Sequence, residues 1–338
     1  MKYVNLGRSG LKVSQICLGT WHMPRSDKLD RYGVRTVDNE EFSRVLKIAM
    51  DNGLNFFDTA NRYHGAMTPV DEVHRGNAEK VLGETLKGYD RESLVISTKV
   101  GGRMMPWANG GGLSRKHIMW QIRESLSRLQ MDYVDVYLMH SPDRETPHQE
   151  TLWAMSDLVH SGRIHYTGCS NHEPEEIEDF MHLASEHELH APVTLQELYN
   201  LRSRGIEAGL VPTAARYGLS IMAYSPLAEG MLSEKYLSGS IPEDSRATYS
   251  EEVRKRIIGR RLAAVRGLSA FAKERGISLP QLALAWIINK QEHLGVALIP
   301  IVGVSNCNQL TENLRALNIK LSEEDLKETE RVSSESSE

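Results

Sequence analysis

Short, largely apolar runs alternate with helical patterns along the whole chain. The first four runs are QICLG, LNFF, LVIST and VDVYLM, and the helical patterns after them cover residues 38–52, 77–88, 114–129 and 148–162. The series continues with IHYTGC, VTLQE, LSIMAY and ALIPIV, and with helical patterns at 173–187, 203–217 and 306–317. Such short runs bounded by turn residues are typical of strands buried on both faces. Eight strand–helix units without an interdomain linker predict a closed (β/α)8 barrel, a TIM barrel, rather than an open doubly wound sheet.

Three features extend this basic pattern. The opening segment MKYVNLGRSGLKVS is typical of a β-hairpin that turns at GRSG. Helical patterns at about 250–276 and 279–290 both precede the last strand, so one of them is an extra helix. The segment from about residue 332 to 338 ends in SSESSE, and we expect it to be a disordered tail of a single domain spanning residues 1–338.

Composition limits the classes of protein to consider. With 40% hydrophobic residues, 25% charged residues and a net charge of −5, the chain is typical of soluble globular proteins and shows no basic excess for binding nucleic acid. The apolar run LALAWII is too short to cross a bilayer, and the N-terminus lacks a signal-peptide core. Three widely spaced cysteines suggest reduced thiols, so we expect a cytoplasmic protein without membrane insertion. No phosphate-binding GxGxxG or GxxxxGK[ST] motif occurs. His187 and His190 in EHELH are three residues apart, as in some metal sites, but no third ligand follows at a suitable spacing, which favours the solvated end of a helix.

The barrel prediction brings distant polar residues together. In a TIM barrel the active site lies at the carboxyl ends of the strands. Asp58, Lys99 and His140 end the second, third and fourth predicted strands, and Tyr63 follows Asp58 on the next loop. Taken singly, each has an ordinary structural explanation as a cap, a surface lysine or a core histidine. Their shared position at one rim favours a catalytic site. Other polar residues end later strands: Ser170, Asn171, Gln196 and Tyr224.

These residues suit proton transfer to a carbonyl. A free tyrosine has a pKa of about 10, so it is a weak acid at neutral pH. We expect Lys99 to favour tyrosinate and lower the pKa of Tyr63, and Asp58 to keep Lys99 charged. His140 would orient a substrate carbonyl or share in proton delivery. Since none of these side chains can supply a hydride, the site requires a nicotinamide cofactor.

Several segments together resemble the aldo-keto reductases, over nearly the whole chain. The segments are FFDTANRY, ISTKV, GLSRKHI, RLQMDYVDVYLMHSPD, GCSN, YSPLAEGMLSEKY, SRA and GVSNCNQLTENLRAL. They are most similar to the branch that contains potassium-channel β subunits and related bacterial reductases. The resemblance implies a catalytic tetrad of Asp58, Tyr63, Lys99 and His140, and reversible NADPH-dependent reduction of aldehydes and ketones.

The resemblance also implies where NADP(H) would bind. The nicotinamide end would contact Gly19, Thr20, Trp21, Asp58, Ser170, Asn171, Gln196 and Tyr224. The phosphates would contact Ser225, Pro226, Leu227, Gly230, Lys235 and Arg246. The adenosine end would contact Gly303, Ser305, Gln309, Glu312 and Asn313. Many relatives carry a lysine and an arginine for the 2′-phosphate where this chain has Gly303 and Gln309. The preference for NADP then depends on Lys235, Arg246 and Ser305.

The substrate and the role of the barrel are less defined. We expect Trp21, Tyr63, His140 and Trp107 to wall the substrate site. Basic residues in the loops at 22–37, 64–75 and 101–112 suggest an anionic or polyhydroxylated carbonyl compound or sugar. The resemblance leaves a second hypothesis, a cofactor-binding accessory or redox-sensing subunit that docks on another protein. Channel β subunits have Asn where this chain has His140, which favours the enzyme. The sequence does not identify the physiological substrate, the preferred direction of reaction or the oligomeric state, and a homo-oligomer is one possibility.

Overall fold

Eight parallel strands close into a barrel, as the sequence predicts. A computed structural model describes residues 1–66, 70–237, 241, 245–248, 251, 254–255 and 261–334. The barrel strands are β3 (Cys17–Gly19), β6 (Phe56–Asp58), β7 (Val95–Val100), β8 (Val134–Met139), β9 (Ile164–Ser170), β10 (Thr194–Leu198), β11 (Ser220–Tyr224) and β12 (Leu298–Val302). They are hydrogen-bonded in chain order, and β12 pairs with β3 to complete the closure.

Helices surround this barrel. In the described residues they are α1 (Asn39–Asp51), α2 (Asn77–Leu86), α3 (Arg115–Leu129), α4 (His148–His160), α5 (Pro174–Glu186), α6 (Leu210–Tyr217), α7 (Arg261–Glu274), α8 (Leu279–Leu294), α9 (Cys307–Leu314) and α10 (Glu323–Ser334). The helices α7 and α8 both precede β12, which confirms an extra helix there. Most of residues 250–260, at the start of the predicted 250–276 helix, lie outside the described residues.

The predicted N-terminal hairpin closes one end of the barrel. Its strands are β1 (Tyr3–Asn5) and β2 (Lys12–Ser14), which pair antiparallel. Leu6 and Val13 are fully buried in one cluster with Phe56 and Met222, whose strands β6 and β11 form the barrel wall. A larger apolar cluster holds the outward faces of the strands against the helices. Because the hairpin covers the amino-terminal end of the barrel, the carboxyl ends of the strands remain for a site.

Two segments differ from the predictions. The expected loop at 22–37 contains a second hairpin, β4 (Arg25–Leu29) and β5 (Arg35–Val37). Residues 332–334 of the expected tail are helical, because α10 continues to Ser334 and the hydroxyl of Ser333 donates a hydrogen bond to the Leu201 carbonyl at 2.5 Å. Residues 335–338 of that tail lie outside the described residues. Ser322 and Asp325 form reciprocal side-chain-to-backbone hydrogen bonds at the start of α10. This capping pattern is visible in the sequence and would have predicted the helix.

Candidate active site

The four predicted catalytic residues meet at the carboxyl end of the barrel. Asp58 is the last residue of β6, Lys99 lies one residue before the end of β7, and His140 directly follows β8. Neighbouring parallel strands align these ends, since Asp58 pairs with Ser97 and Lys99 pairs with Leu138. Tyr63 returns to this group because the loop after β6 turns sharply, with a hydrogen bond from its backbone amide to the Ala60 carbonyl at 3.1 Å.

Lys99 and Asp58 form a buried ion pair. The Lys99 Nζ donates to Asp58 Oδ2 at 2.6 Å and to the Thr59 carbonyl at 2.7 Å. The other carboxylate oxygen, Asp58 Oδ1, accepts from Ser97 Oγ at 2.7 Å and from Gln196 Nε2 at 3.0 Å. Burial opposes the charge of Lys99, but the Asp58 carboxylate and the Tyr63 side chain together outweigh burial and raise the pKa of the ammonium. Lys99 is therefore a fixed positive charge inside the barrel mouth.

Tyr63 lies over this charge. The Nζ of Lys99 is 4.6 Å from the centre of the Tyr63 ring. Burial raises the pKa of the Tyr63 phenol, and the positive charge of Lys99 offsets only part of that effect. The expectation of a lowered pKa is therefore wrong. The sequence argument counted the neighbouring ammonium and left out desolvation of the phenolate. At neutral pH the phenol is protonated and can donate a proton.

His140 completes the polar group. Its Nε2 lies 3.5 Å from the Tyr63 hydroxyl, and the two rings meet edge to face. Burial, together with the charges of Lys99 and Arg62, holds the pKa of His140 well below its usual value. A neutral imidazole can donate one hydrogen bond and accept another. The pair Tyr63 and His140 can thus direct two polar hydrogens at one oxygen atom.

An elongated cleft opens above this group. Its volume is about 780 Å³, within the range of small-molecule and cofactor sites. Most predicted cofactor and substrate residues line it: Gly19, Trp21, Asp58, Tyr63, His140, Ser170, Asn171, Gln196, Tyr224, Ser225, Pro226, Leu227, Gly230, Lys235, Gly303, Ser305, Gln309, Glu312 and Asn313.

The remaining predicted residues lie elsewhere. Thr20 is buried behind the cleft wall and its hydroxyl donates to the Asp58 carbonyl at 3.1 Å. Trp107 does not line the cleft, contrary to expectation, because its loop folds back against α3 and the ring lies 5.9 Å from that of Trp120. The side chain of Arg246 lies outside the described part of the chain.

Sequence reasoning missed several side chains of the cleft. His22 follows the predicted Trp21 and its Nε2 lies 2.8 Å from Ser305 Oγ, so it connects the β3 and β12 ends. Arg62 lies between the predicted catalytic residues Asp58 and Tyr63 in the FFDTANRY segment, and it also lines the cleft. The other unpredicted lining residues are Val70, Glu229, Ser233, Glu234, Ser278, Pro280, Ile301 and Val302. Adjacency to the predicted residues was the available signal for His22 and Arg62.

The basic loop residues expected at the mouth do not line the cleft. Arg35 pairs with Asp27, and Arg75 donates to the Met104 carbonyl at 2.7 Å. His74 bonds to both Asp30 and Asp71 and ties the β4–β5 hairpin to the turn at 71–75. The contacts of Arg75 and His74 hold neighbouring loops together, whereas the Arg35–Asp27 pair lies within the β4–β5 hairpin.

The backbone around the cleft is closely packed and locally strained. A side chain at Gly303 would bring its Cβ within 3.0 Å of the His22 carbonyl, and one at Gly19 would clash with Ile301 at 2.6 Å. After β11, Ser225, Ala228 and Glu229 all adopt positive φ angles of 46° to 59°. Left-handed backbone in non-glycine residues costs on the order of 1–3 kcal/mol each and is concentrated at ligand sites. Asn171, also at positive φ, accepts a hydrogen bond from the Tyr224 hydroxyl at 2.8 Å and donates to the His140 carbonyl at 3.0 Å.

The described residues contain neither a membrane-spanning helix nor a metal-binding group. Within the ranges that the structure describes, no helix is long and apolar enough to cross a membrane. The same residues contain no group of three or more histidine, cysteine, aspartate or glutamate side chains arranged to hold a metal ion.

Comparisons with known proteins agree with the geometry of the site. The model of the aldo/keto reductase family matches residues 15–334. The chain is 38% identical over 327 residues to a probable voltage-gated potassium channel subunit beta of Oryza sativa subsp. japonica, covering 94% of this chain and 92% of that protein. It is 34% identical over 326 residues to the L-glyceraldehyde 3-phosphate reductase of Escherichia coli K12, covering 94% and 88%. A putative channel β subunit of Schizosaccharomyces pombe is 37% identical over 340 residues, covering 97% and 92%. The chain therefore belongs to the aldo/keto reductase family.

Proposed function

We propose that this protein is an NADPH-dependent oxidoreductase that reduces aldehydes and ketones to alcohols, and catalyses the reverse reaction, with Tyr63 as general acid and base. The proposal depends above all on one observation, the buried Lys99–Asp58 pair that lies beneath Tyr63 with His140 beside it. The name of the Escherichia coli relative, a reductase of a short sugar phosphate aldehyde, also supports it.

Each catalytic residue has a separate role in the proposed reaction. A hydride would come to the carbonyl carbon from the reduced nicotinamide when NADPH is bound. Tyr63 gives its phenolic proton to the carbonyl oxygen, so that the product is an alcohol and the phenol becomes phenolate. Lys99 stabilises that phenolate through its fixed charge, and Asp58 maintains the charge on Lys99. Solvent then returns a proton to Tyr63.

His140 serves as the second donor to the substrate oxygen. Because its pKa is held well below the usual value, the imidazole is neutral and does not compete with Lys99 for the phenolate. A hydrogen bond from Nε2 orients the carbonyl with its oxygen toward Tyr63. Trp21, whose ring packs edge to face on Tyr63 at 4.8 Å, provides an apolar wall that excludes water from the reacting atoms.

The cofactor residues favour NADP(H) through a small number of contacts. The side chain of Lys235 follows the strained loop after β11 and lines the cleft near its phosphate end. Ser305 offers a hydroxyl, and Gln309 holds the Ser305 amide at 2.8 Å. Glu229, Glu234 and Glu312 line the same cleft, so the positive potential for a 2′-phosphate is modest.

The second candidate function is an accessory subunit that binds cofactor and docks on another protein. The names of the channel β relatives from rice and fission yeast favour it. Position 140 distinguishes the two, because Asn can donate a hydrogen bond but cannot exchange a proton as an imidazole does.

A carbonyl screen tests the proposal. Wild type and His140→Asn are mixed with NADPH and a panel of aldehydes, ketones and sugars, and loss of NADPH absorbance is followed. For the best substrate we expect wild type to exceed the variant by roughly 10²-fold in kcat, with NADPH binding preserved. If wild type turns over no compound faster than the variant, the accessory function is the better account.

A further inference from the structure

Arg62 is a cation at the reactive end of the cleft. It directly precedes Tyr63 in the chain, lines the cleft and is exposed to solvent. In the part of the chain that the structure describes, its guanidinium has no hydrogen bond and no ion pair. The nearby cation Lys99 differs, because Asp58 neutralises it. Among the described residues, the charge of Arg62 at the reactive end of the cleft thus has no protein counterion.

The position of Arg62 depends on Gly102. A Cβ added at Gly102 would lie 2.1 Å from Arg62 Cδ and 2.9 Å from Arg62 Nε, well inside contact distance. The aliphatic part of Arg62 therefore occupies the space that any other residue at position 102 would fill. Gly102 is itself buried. The turn after β7 accordingly holds the arginine stem against the barrel rim and leaves its polar head in the cleft.

The charge of Arg62 acts on the reactive residues. It contributes to the lowered pKa of His140 and, in a smaller degree, favours the phenolate of Tyr63. The carboxylates that line the cleft besides Asp58 are Glu229, Glu234 and Glu312, which come from the segment after β11 and from α9. An anion bound beside Tyr63 would meet the guanidinium of Arg62 without displacing a protein partner, so binding would not break an existing ion pair.

We infer that Arg62 forms a subsite for an anionic group, a phosphate or a carboxylate, on a short aldehyde substrate whose carbonyl lies between Tyr63 and His140. This inference rests on the proposed function and narrows it to a substrate class. Guanidinium is suited to the role because its planar fork matches two oxygens of either anion.

Pairs of substrates that differ in one anionic group measure the contribution of that group to binding and turnover. Glyceraldehyde is compared with glyceraldehyde 3-phosphate, and butanal with 4-oxobutanoate, so that each pair differs in one anionic group. The variants are Arg62→Gln, which removes the charge, and Gly102→Ala, which keeps the guanidinium but forces its stem to move. Arg123→Gln is the control, since Arg123 is exposed on the outer helix α3.

We expect wild type to prefer the anionic member of a pair. A hydrogen bond to a charged group contributes enough that Arg62→Gln should lower kcat/KM for the anion by roughly 10- to 100-fold, mainly through KM. Because the charge of Arg62 also acts on His140 and Tyr63, the deciding quantity is the ratio of kcat/KM for the anionic and the neutral member of a pair. This ratio should fall by roughly 10-fold or more in Arg62→Gln, fall in the same direction in Gly102→Ala, and stay unchanged in Arg123→Gln. An effect confined to one pair identifies the anion as phosphate or carboxylate. Equal losses for charged and neutral substrates, or no loss for either anion, would overturn the inference.

A binding measurement separates this inference from the proposed function. Isothermal titration of the NADP⁺-loaded protein with 4-oxobutanoate and with butanal needs no turnover, because the oxidised cofactor cannot reduce an aldehyde. Tighter binding of the anion that Arg62→Gln abolishes would support the subsite even if the catalytic screen fails. Indistinguishable affinities in wild type would refute it even if the protein is an active reductase.

Discussion

Replacement of Lys99 by methionine tests the buried ion pair on which the site is built. Lys99 is fully buried and the Asp58 side chain is 4% exposed, so neither charge can turn to water. Lys99→Met is close in shape and leaves Asp58 Oδ2 without its donor. Asp58 keeps two neutral donors, Ser97 and Gln196. Removing one member of a buried pair usually costs about 3–5 kcal/mol, and these two hydrogen bonds place our expectation near the lower end, about 3 kcal/mol.

A double-mutant cycle that adds Asp58→Asn tests whether Lys99 and Asp58 stabilise the fold as a pair. Asp58→Asn alone should cost a similar amount, since it leaves the Lys99 ammonium buried and unpaired. The double variant has no buried charge, so we expect it to be about 1–2 kcal/mol less stable than wild type, well below the sum of the single changes. The assay is urea unfolding followed by circular dichroism and tryptophan fluorescence, with the slope m checked for constancy.

An exposed ion pair is the matched control. Lys47 and Asp51 on α1 are joined at 2.9 Å but have exposed side chains, so Lys47→Met should leave the urea midpoint nearly unchanged. Additive destabilisation in the Lys99 and Asp58 cycle would show that the two residues do not act as a pair. A Lys99→Met variant as stable as wild type would refute the burial argument itself.

Three other outcomes are expected. Fluorescence titration should give tighter binding for NADPH than for NADH, with a difference that shrinks as salt screens Lys235, and equal affinities at low salt would contradict the cofactor proposal. Because the pKa of His140 is held low and that of Tyr63 is raised, kcat for reduction should be flat from pH 6 to 8, whereas an inflection near the ordinary histidine pKa of about 6.5 would show that His140 titrates. The pKa of His74 is raised in the fold, so its contribution to stability is fully present below about pH 6.5 and is lost as pH rises through the folded pKa. The pKa of its partner Asp30 is lowered to about 2, so the contribution of Asp30 is present above about pH 3.9. The loss of Tm in His74→Gln should therefore be larger at pH 5.5 than at pH 9, and a loss independent of pH would refute the assignment.

The strand-end rule recovered much of the site because it needs only the pattern of the chain. Parallel strands in a barrel bring their carboxyl ends to one rim, so Asp58, Lys99 and His140 could be grouped without a structure. Loop side chains follow no such rule. Trp107 was expected in the cleft, but the fold of its own loop against α3 directs it elsewhere.

The remaining differences have physical reasons of the same kind. The pKa of Tyr63 depends on a balance between desolvation and the charge of Lys99, and the sequence does not give the depth of burial. The position of Arg62 depends on the space left by Gly102, forty residues along the chain. The helix α10 was missed although its capping pattern is present, because its buried residues are Leu326, Thr329 and Ser333, which give only a weak apolar pattern.

The most direct test of the account is single-turnover reduction by wild type and Tyr63→Phe. NADPH-loaded protein is mixed rapidly with the best aldehyde of the carbonyl screen, and NADPH fluorescence reports the rate of hydride transfer. Since Tyr63 is the proposed proton donor, Tyr63→Phe should slow this step by roughly 10²- to 10⁴-fold while the dissociation constant of NADPH stays within about twofold of wild type. A variant that transfers hydride at more than a few per cent of the wild-type rate would contradict the assignment of Tyr63 as the general acid.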